Sequence, residues 1–435
     1  MTDPNPWVIA AAVTVFALVY VLIATEWVHR VRAALGGAAV MFLIGATSGQ
    51  QAFFSAETGI DWNVILLLFG MMVVISVVKQ TGLFEYLAIW AGKRAAGRPY
   101  RLLVLLSVIT AATSAVLDNV TTVLLVAPVT LLVCGRLGVR PELFLVAMAM
   151  ASNIGGVGTL IGDPPNIIIG SRAGLSFNEF VVNLAPLAIL LVGVFLLLAR
   201  FLFRSAFVVD PDQAQDVGAL DERRAIRDPA LLWRVLAVLV LILVAFGLHR
   251  VLGLDPSVVA LLGAGAMILV SGAARSEFLQ DVEWETLVFF IGLFVMVGAL
   301  VNIGVINWLG QQATQAVGGH LLLAVTVLLF GSALISGIID NIPYVATLTP
   351  LVADLVASGS GSESTSLWWA LALGAGLGGN ATAIGASANV VVTGIAARDG
   401  HPISFGTFTR YGIVVTAVTV LIAWPYLWLR YFVVG

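Results

Sequence analysis

Three stretches carry side chains whose types and spacing could do chemistry inside an otherwise apolar chain. Asp118-Asn119-Val120-Thr121-Thr122 and Asp340-Asn341-Ile342-Pro343-Tyr344 each interrupt a long apolar block. A third interruption runs from Ser152 to Asn166 and reads Ser-Asn-Ile-Gly-Gly-Val-Gly-Thr-Leu-Ile-Gly-Asp-Pro-Pro-Asn. A carboxylate at bilayer depth costs at least ~2.5 kcal/mol unless paired or hydrated, so Asp118, Asp163 and Asp340 are functional candidates, Asp118 and Asp340 as the groups that would hold a proton or Na⁺. The ordinary alternative for Asp118 and Asp340 is capping of a half-helix, and Asp163-Pro164-Pro165 is also a turn-forming sequence. Asn119, Thr121, Thr122, Ser152, Asn153, Thr159, Asn166 and Asn341 offer neutral donors and acceptors for a solute. Their ordinary alternative is a hydrogen bond between helices.

The third stretch has a twin. Residues 375–389 align with residues 152–166 without a gap, so that Gly155, Gly156, Thr159, Gly162 and Asn166 fall on Gly378, Gly379, Thr382, Gly385 and Asn389. The twin of Asp163 is Ala386, and the second stretch adds Asn380, Thr382, Ser387 and Asn389 to the candidates. Prolines remove backbone donors and glycines weaken a helix, so neither stretch can be one unbroken helix. Unwound polar backbone at membrane depth survives only inside protein or along a wet cavity. Two broken helices at matching places in two halves point to a transport site, where half-helix N-termini hold anionic groups and bare carbonyls hold Na⁺.

The elements that must position these residues are membrane helices. The chain has 435 residues, 60% hydrophobic and 10% charged, with a mean hydropathy of +1.05. A soluble domain carries about 25% charged residues, so this is an all-α polytopic membrane protein. The net charge of −3 leaves no basic surface for nucleic acid. A single cysteine, Cys134, excludes an internal disulfide or a thiolate cluster and reads as a packing residue. No two of His29, His249, His320 and His401 stand at ligand spacing, and no Gly-Lys-Ser/Thr follows the glycine runs, so neither a metal site, a phosphate loop nor any cofactor is expected. The first apolar run lacks a basic start and a cleavage site and reads as a retained span.

Apolar runs predict spans near 7–25, 33–46, 62–79 and 180–202, with a basic loop of Lys93, Arg94, Arg98 and Arg101 after the third. The block from 102 to 133 is too short to cross twice and has arginines at both ends, which predicts a re-entrant hairpin with Asp118 at its tip. The second half repeats the first. Trp62, Gly70, Gly82, Asp118, Asn119 and Pro128 recur as Trp284, Gly292, Gly304, Asp340, Asn341 and Pro350, each 222 positions on (340 − 118 = 222). This predicts a first repeat over 1–204, a polar cytoplasmic linker over 205–232, and a second repeat over 233–435 with its hairpin at about 321–355. Each repeat holds five spans, two of them broken helices across the pair, so there are about ten spans and the second repeat is inverted. Charge agrees: the first-half loops are basic, whereas 302–320 and the stretch Gly359-Ser360-Gly361-Ser362-Glu363-Ser364 have no Lys or Arg. The first hairpin is then cytoplasmic, the second external, and both termini external.

Asp-Asn-Val-Thr-Thr, Ser-Asn-Ile-Gly-Gly and Gly-Asp-Pro-Pro-Asn together resemble the arsenite permease (ArsB/NhaD-type) branch of the ion transporter superfamily, nearest to its melanosomal P-protein-like sub-branch. The resemblance runs from about Val19 to Arg410. It implies a scaffold and a mobile transport domain in a homodimer, elevator-type alternating access, and a place in the cell's inner (plasma) membrane. Carboxylate carriers of the superfamily bear Ser-Asn-Thr at their hairpin tips, and the two aspartate tips here depart from that. The function expected is ion-coupled antiport of a small inorganic solute, arsenite or antimonite efflux first, with the proton or Na⁺ as coupling ion. Sodium/proton antiport and small-carboxylate symport are the alternatives within the class, and an anion channel the alternative outside it. Nothing indicates a soluble ATPase partner, although the resemblance leaves room for one. An intramembrane enzyme would require a nucleophile or metal constellation, which the chain does not offer.

Overall fold

The computed structural model describes residues 5–25, 27–209, 221–272, 277–318, 320–359 and 362–434, so the middle of the linker and Ser360 lie outside the described residues. Every regular element among them is helical. The first half runs α1 (Pro6–Ala24), α2 (Arg30–Leu43), α3 (Gly49–Phe54), α4 (Trp62–Gln80), α5 (Leu83–Ala95), α6 (Pro99–Ser114), α7 (Asn119–Leu137), α8 (Glu142–Gly156), α9 (Pro164–Ala173) and α10 (Phe177–Leu202). The second runs α11 (Pro229–Leu252), α12 (Pro256–Ser271), α13 (Glu277–Gln280), α14 (Trp284–Asn302), α15 (Val305–Val317), α16 (Leu321–Ser336), α17 (Asn341–Ser358), α18 (Ser366–Gly378), α19 (Ser387–Arg398) and α20 (Phe405–Trp428), which a π turn extends to Val433. Each of the ten elements in one half has a counterpart in the other. Among the described residues, seven helices are long and apolar enough to span a bilayer: α1, α4, α7, α10, α11, α14 and the extended α20. Shorter apolar helices, α6, α8, α12 and α16, accompany them.

Three sequence expectations need correction. The basic loop after α4 is instead the helix α5, with Glu85 in its first turn and Lys93 and Arg94 in its last, which complements the helix dipole. Its counterpart α15 likewise replaces the loop expected over 302–320. The linker is shorter than expected, because Asp228 caps α11 through the amides of Ala230 and Leu231 and starts that helix at Pro229.

The helices pack in two groups. In the first, α4 lies on α12 and α14 on α2, so each half supplies one member of each pair, with α1 and α11 alongside. In the second, α6 packs on α8, α16 on α18, α19 on α7 and α8, and α17 on α9. The groups meet along a seam where α4 touches α9 and α14 touches α17. α4 and α14 are 72% buried along their apolar windows, against 11% for α1 and 22% for α11, so the former are central and the latter lie outside.

Small residues set these approaches, and they do so twice. A methyl on Gly155 would stand 2.2 Å from the Ala111 carbonyl oxygen, and one on Gly378 2.6 Å from that of Ala333. A methyl on Gly70 would stand 2.7 Å from the Ala260 backbone, and one on Gly292 2.9 Å from that of Ala34. Helices in hydrocarbon associate by backbone approach of this kind rather than by a hydrophobic drive.

Candidate solute and ion site

Four helix N-termini converge inside the second group. α7 and α17 begin at the tips of the two hairpins, and α9 and α19 begin after the two breaks. Each tip is a four-residue turn, residues 115–118 and 337–340, that ends in an aspartate. Asp118 caps α7: one carboxylate oxygen accepts from the Thr121 amide and the other from its hydroxyl, both at 2.7 Å. Asp340 caps α17 through the Ile342 amide at 3.0 Å, and its second oxygen accepts from Ser387 Oγ at 2.6 Å. Capping therefore occupies both tip aspartates.

Asp163 is different. It stands at the cap position of α9 yet makes no capping bond, and it is 1% exposed. One of its oxygens accepts from Asn119 Nδ2 at 3.1 Å and the other from Asn341 Nδ2 at 3.4 Å, one amide from each hairpin tip. It also lies within coulombic reach of Asp340 and Asp118.

The network continues through Asn153. Its Oδ1 accepts from Asn119 Nδ2 at 3.1 Å, and its Nδ2 donates to Asn380 Oδ1 at 2.9 Å and Asn389 Oδ1 at 3.1 Å. Asn166 and Asn389 close the two breaks. Asn166 Nδ2 binds the carbonyls of Gly156, Val157 and Thr159, and Asn389 Nδ2 those of Gly379 and Thr382. Thr159 and Thr382 bind the hairpin carbonyls of Ala115 and Gly337, at 2.5 and 2.7 Å. Ser152 Oγ donates to Ser114 Oγ and to the Asn119 carbonyl. Gly155 and Gly156 are positions of close backbone approach. They let α8 reach Ala111 and Gly162, where a methyl on Gly156 would lie 2.4 Å from the Gly162 oxygen.

So Asn119, Asn153, Asp163, Asn341, Asn380 and Asn389 form one buried cluster. Thr121, Thr159, Thr382, Asn166, Ser152 and the glycines shape its walls. Among the described residues, two buried atoms in it, Asn119 Oδ1 and Asn380 Nδ2, have no protein partner, and neither does the buried Thr122 Oγ1 in the first turn of α7. An unpaired buried polar atom is costly, and at a transport site it is what a solute or water would satisfy.

Two residues escape a reading by motif. Arg30 reaches from the start of α2 to Ser387 Oγ at 3.1 Å and Thr286 Oγ1 at 3.2 Å, and lies 5.6 Å from the centre of the Phe289 ring. Glu283 accepts from Thr286 Oγ1 at 2.9 Å. Both line a cavity of about 750 Å³ that reaches Asp340, Ser387, Pro343 and Val390. A second cavity of about 400 Å³ lies at the other end of the seam, lined by Asn63, Leu67, Ile167, His249 and Arg250. A His-Arg pair lines each cavity, His29-Arg30 at the start of α2 and His249-Arg250 at the end of α11, and Phe289 of the larger lies 222 positions after Leu67 of the smaller.

Paired broken helices, hairpins with polar tips and a buried carboxylate within an amide cage define a multi-pass membrane transporter. Residues 20–374 match the CitMHS family, described as citrate transporter, and the chain belongs to that family. It is 57% identical over 423 residues to an uncharacterized transporter of Mycobacterium tuberculosis, covering 97% of this chain and 98% of that one. It is 32% identical to the P protein of Homo sapiens over 98% of this chain and 60% of the P protein. In fold it is similar to the Alcanivorax borkumensis YdaH transporter, with a TM-score of 0.59, 17% identity and 98% of both chains covered. It is also similar to Neisseria gonorrhoeae MtrF, whose structure is said to illuminate a class of antimetabolite efflux pumps, with a TM-score of 0.60 and 12% identity, covering 100% of this chain and 96% of that one.

Proposed function

We propose that the protein is an ion-coupled secondary antiporter that works by elevator-type alternating access, with an arsenous-acid-like neutral hydroxide as its best-fitting solute. The observation that carries this reading is Asp163, a buried carboxylate held by one amide from each hairpin tip and, among the described residues, paired with no Lys, Arg or His side chain. A proton or Na⁺ there would relieve the cost of a bare charge at membrane depth. The spare acceptor, hydroxyl and donor of Asn119, Thr122 and Asn380 suit a small hydroxylated solute. In this reading the halves are inverted repeats with about ten spans, the hairpins enter from opposite sides, and the first packing group is the scaffold of a homodimer. The second group is the moving transport domain, and the seam is its track. Sodium/proton antiport uses the same carboxylates without a second solute.

Carboxylate symport is the second reading, favoured by the description of the family and by Arg30 at the cavity wall. The clustered carboxyls of Asp118, Asp163, Asp340 and Glu283 oppose it, because they repel a polyanion unless several cations accompany it. Flux into proteoliposomes of arsenite, Na⁺ and citrate, each with and without a pH gradient, separates the readings. Arsenite movement driven by the gradient supports the first, and citrate accumulation alone replaces it with the second.

A further inference from the structure

Arg30 belongs to the scaffold group, yet its guanidinium is divided between the two groups. Nη1 donates to Ser387 on α19, across the seam, and Nη2 donates to Thr286 on α14, on its own side. Each hydroxyl passes its own hydrogen to a carboxylate, Ser387 to Asp340 at 2.6 Å and Thr286 to Glu283 at 2.9 Å. The cation therefore sits between two carboxylates with one hydroxyl on either side, and no ion pair joins it to either. A direct bidentate pair would be stronger, so this arrangement is a weaker, breakable tether.

The other end of the seam is held differently. Arg250, in the last turn of α11, pairs directly with Glu179 at 2.8 Å and donates to the Gly174 carbonyl at 2.8 Å. Asn178 Nδ2 adds a bond to the Gly247 carbonyl at 2.7 Å. The cavity there is about 400 Å³, against about 750 Å³ beside Arg30. One end is narrow and joined by a direct ion pair, the other wide and joined through hydroxyls.

We propose that Arg30 is a built-in counter-cation: in the unloaded carrier it leans on the Asp340 carboxylate through Ser387 and so holds the transport group with the larger cavity open. This rests on the coupling reading above. A proton or Na⁺ arriving at Asp163, which interacts electrostatically with Asp340, offsets the negative charge on which the tether depends. The Ser387 contact then weakens, and the group is free to cross. The empty carrier stays tethered, which suppresses movement without cargo. The charged groups facing Arg30 are Asp340 from α17, Glu283 and Glu285 from the start of α14, and the neighbouring His29, whose Nε2 lies 3.3 Å from Glu285. Asp118 interacts electrostatically with Glu283, and Asp163 with Asp340.

Reporter accessibility tests the tether without any transport assay. Val390 lines the larger cavity and is 40% exposed. With Val390→Cys in a Cys134→Ser background, labelling by a hydrophilic maleimide is measured in solute-free liposomes at alkaline pH without Na⁺. Arg30→Gln is expected to slow labelling about threefold or more, as a population shift toward the closed cavity requires. Arg30→Lys, which keeps the charge, is expected to restore most of the rate. In the arginine protein, Na⁺, or acid once rates are normalised to the thiolate fraction of a free-cysteine control, is expected to slow labelling, and Arg30→Gln to be insensitive to both. Labelling of Arg30→Gln at the parent rate, with the ion response intact, overturns the tether. Slowing by Arg30→Gln in a protein whose labelling ignores both ions keeps the tether and removes the ion coupling instead.

Discussion

Asp163 and Asn341 stand 178 residues apart and meet at 3.4 Å, Nδ2 to carboxylate oxygen. The contact joins the first broken helix to the second hairpin, while Asn119 on the other oxygen joins it to the first. Asp163 is thus the point at which both hairpins are registered. Its counterpart Ala386 can do none of this, so the two halves, alike in element order, are unlike at the centre.

Asp118→Asn and Asp340→Asn separate capping from coupling. An amide oxygen caps nearly as well as a carboxylate, so both variants should unfold within about 0.5 kcal/mol of the parent. Both should nevertheless lose pH-driven flux, because neither amide can ionise. Melting in detergent and proton-coupled uptake measure the two effects. Parent-like coupling in both variants would reduce these aspartates to caps.

Much of this was legible in the sequence, because glycine, proline, asparagine and aspartate inside apolar blocks have few uses at membrane depth. The breaks, the tips and the 222-residue correspondence follow from that. α5 was not legible as a helix, since Lys93, Arg94 and Arg98 look like a cytoplasmic loop. The signal that could have found it is the spacing of Phe84, Ala88, Ala91 and Ala95, all buried on one face. Arg30 was hidden by its neighbours, as it sits with Arg32 in a cluster that topology alone explains. The priority of Asp163 over the tip aspartates is a matter of which oxygens the caps occupy, and spacing carries no trace of that.

Close approach of α8 to α6 and of α18 to α16 predicts a matched pair of defects. Gly155→Ala and Gly378→Ala each drive a methyl into neighbouring backbone and should cost about 1–3 kcal/mol, lowering the melting temperature and the folded yield. Gly135→Ala, inside α7 with nothing within 4 Å, should instead gain about 0.5–1 kcal/mol. Equal behaviour of the three would contradict the packing.

Arg98 and His320 are exposed counterparts, 222 positions apart, before α6 and α16. In a Cys134→Ser background, Arg98→Cys and His320→Cys should react with an impermeant thiol reagent from opposite faces of sealed vesicles. Reaction of both from one face would rule out inverted halves.

Lys93 donates to Glu222 at 2.6 Å, tying α5 to the linker, and that bond holds the Glu222 carboxyl below the usual carboxylate range. Because the folded value is depressed, the contact is complete at neutral pH and is lost as pH falls through the lowered value. Hydrogen exchange of residues 83–95 should therefore rise in acid, and Glu222→Gln should show that faster exchange already at neutral pH. Exchange unchanged by either would detach the linker from α5.

The central claim is that Asp163 carries the coupling ion, and Asp163→Asn tests it most directly. The variant keeps the side chain's shape but presents amide hydrogens where Asn119 and Asn341 already donate, and it cannot ionise. Solute-driven proton and Na⁺ movement, measured in proteoliposomes alongside solute exchange at zero gradient, gives the answer. The account predicts that ion movement disappears in a protein that still reconstitutes as a folded species. Ion-coupled flux at the parent rate in Asp163→Asn would contradict it.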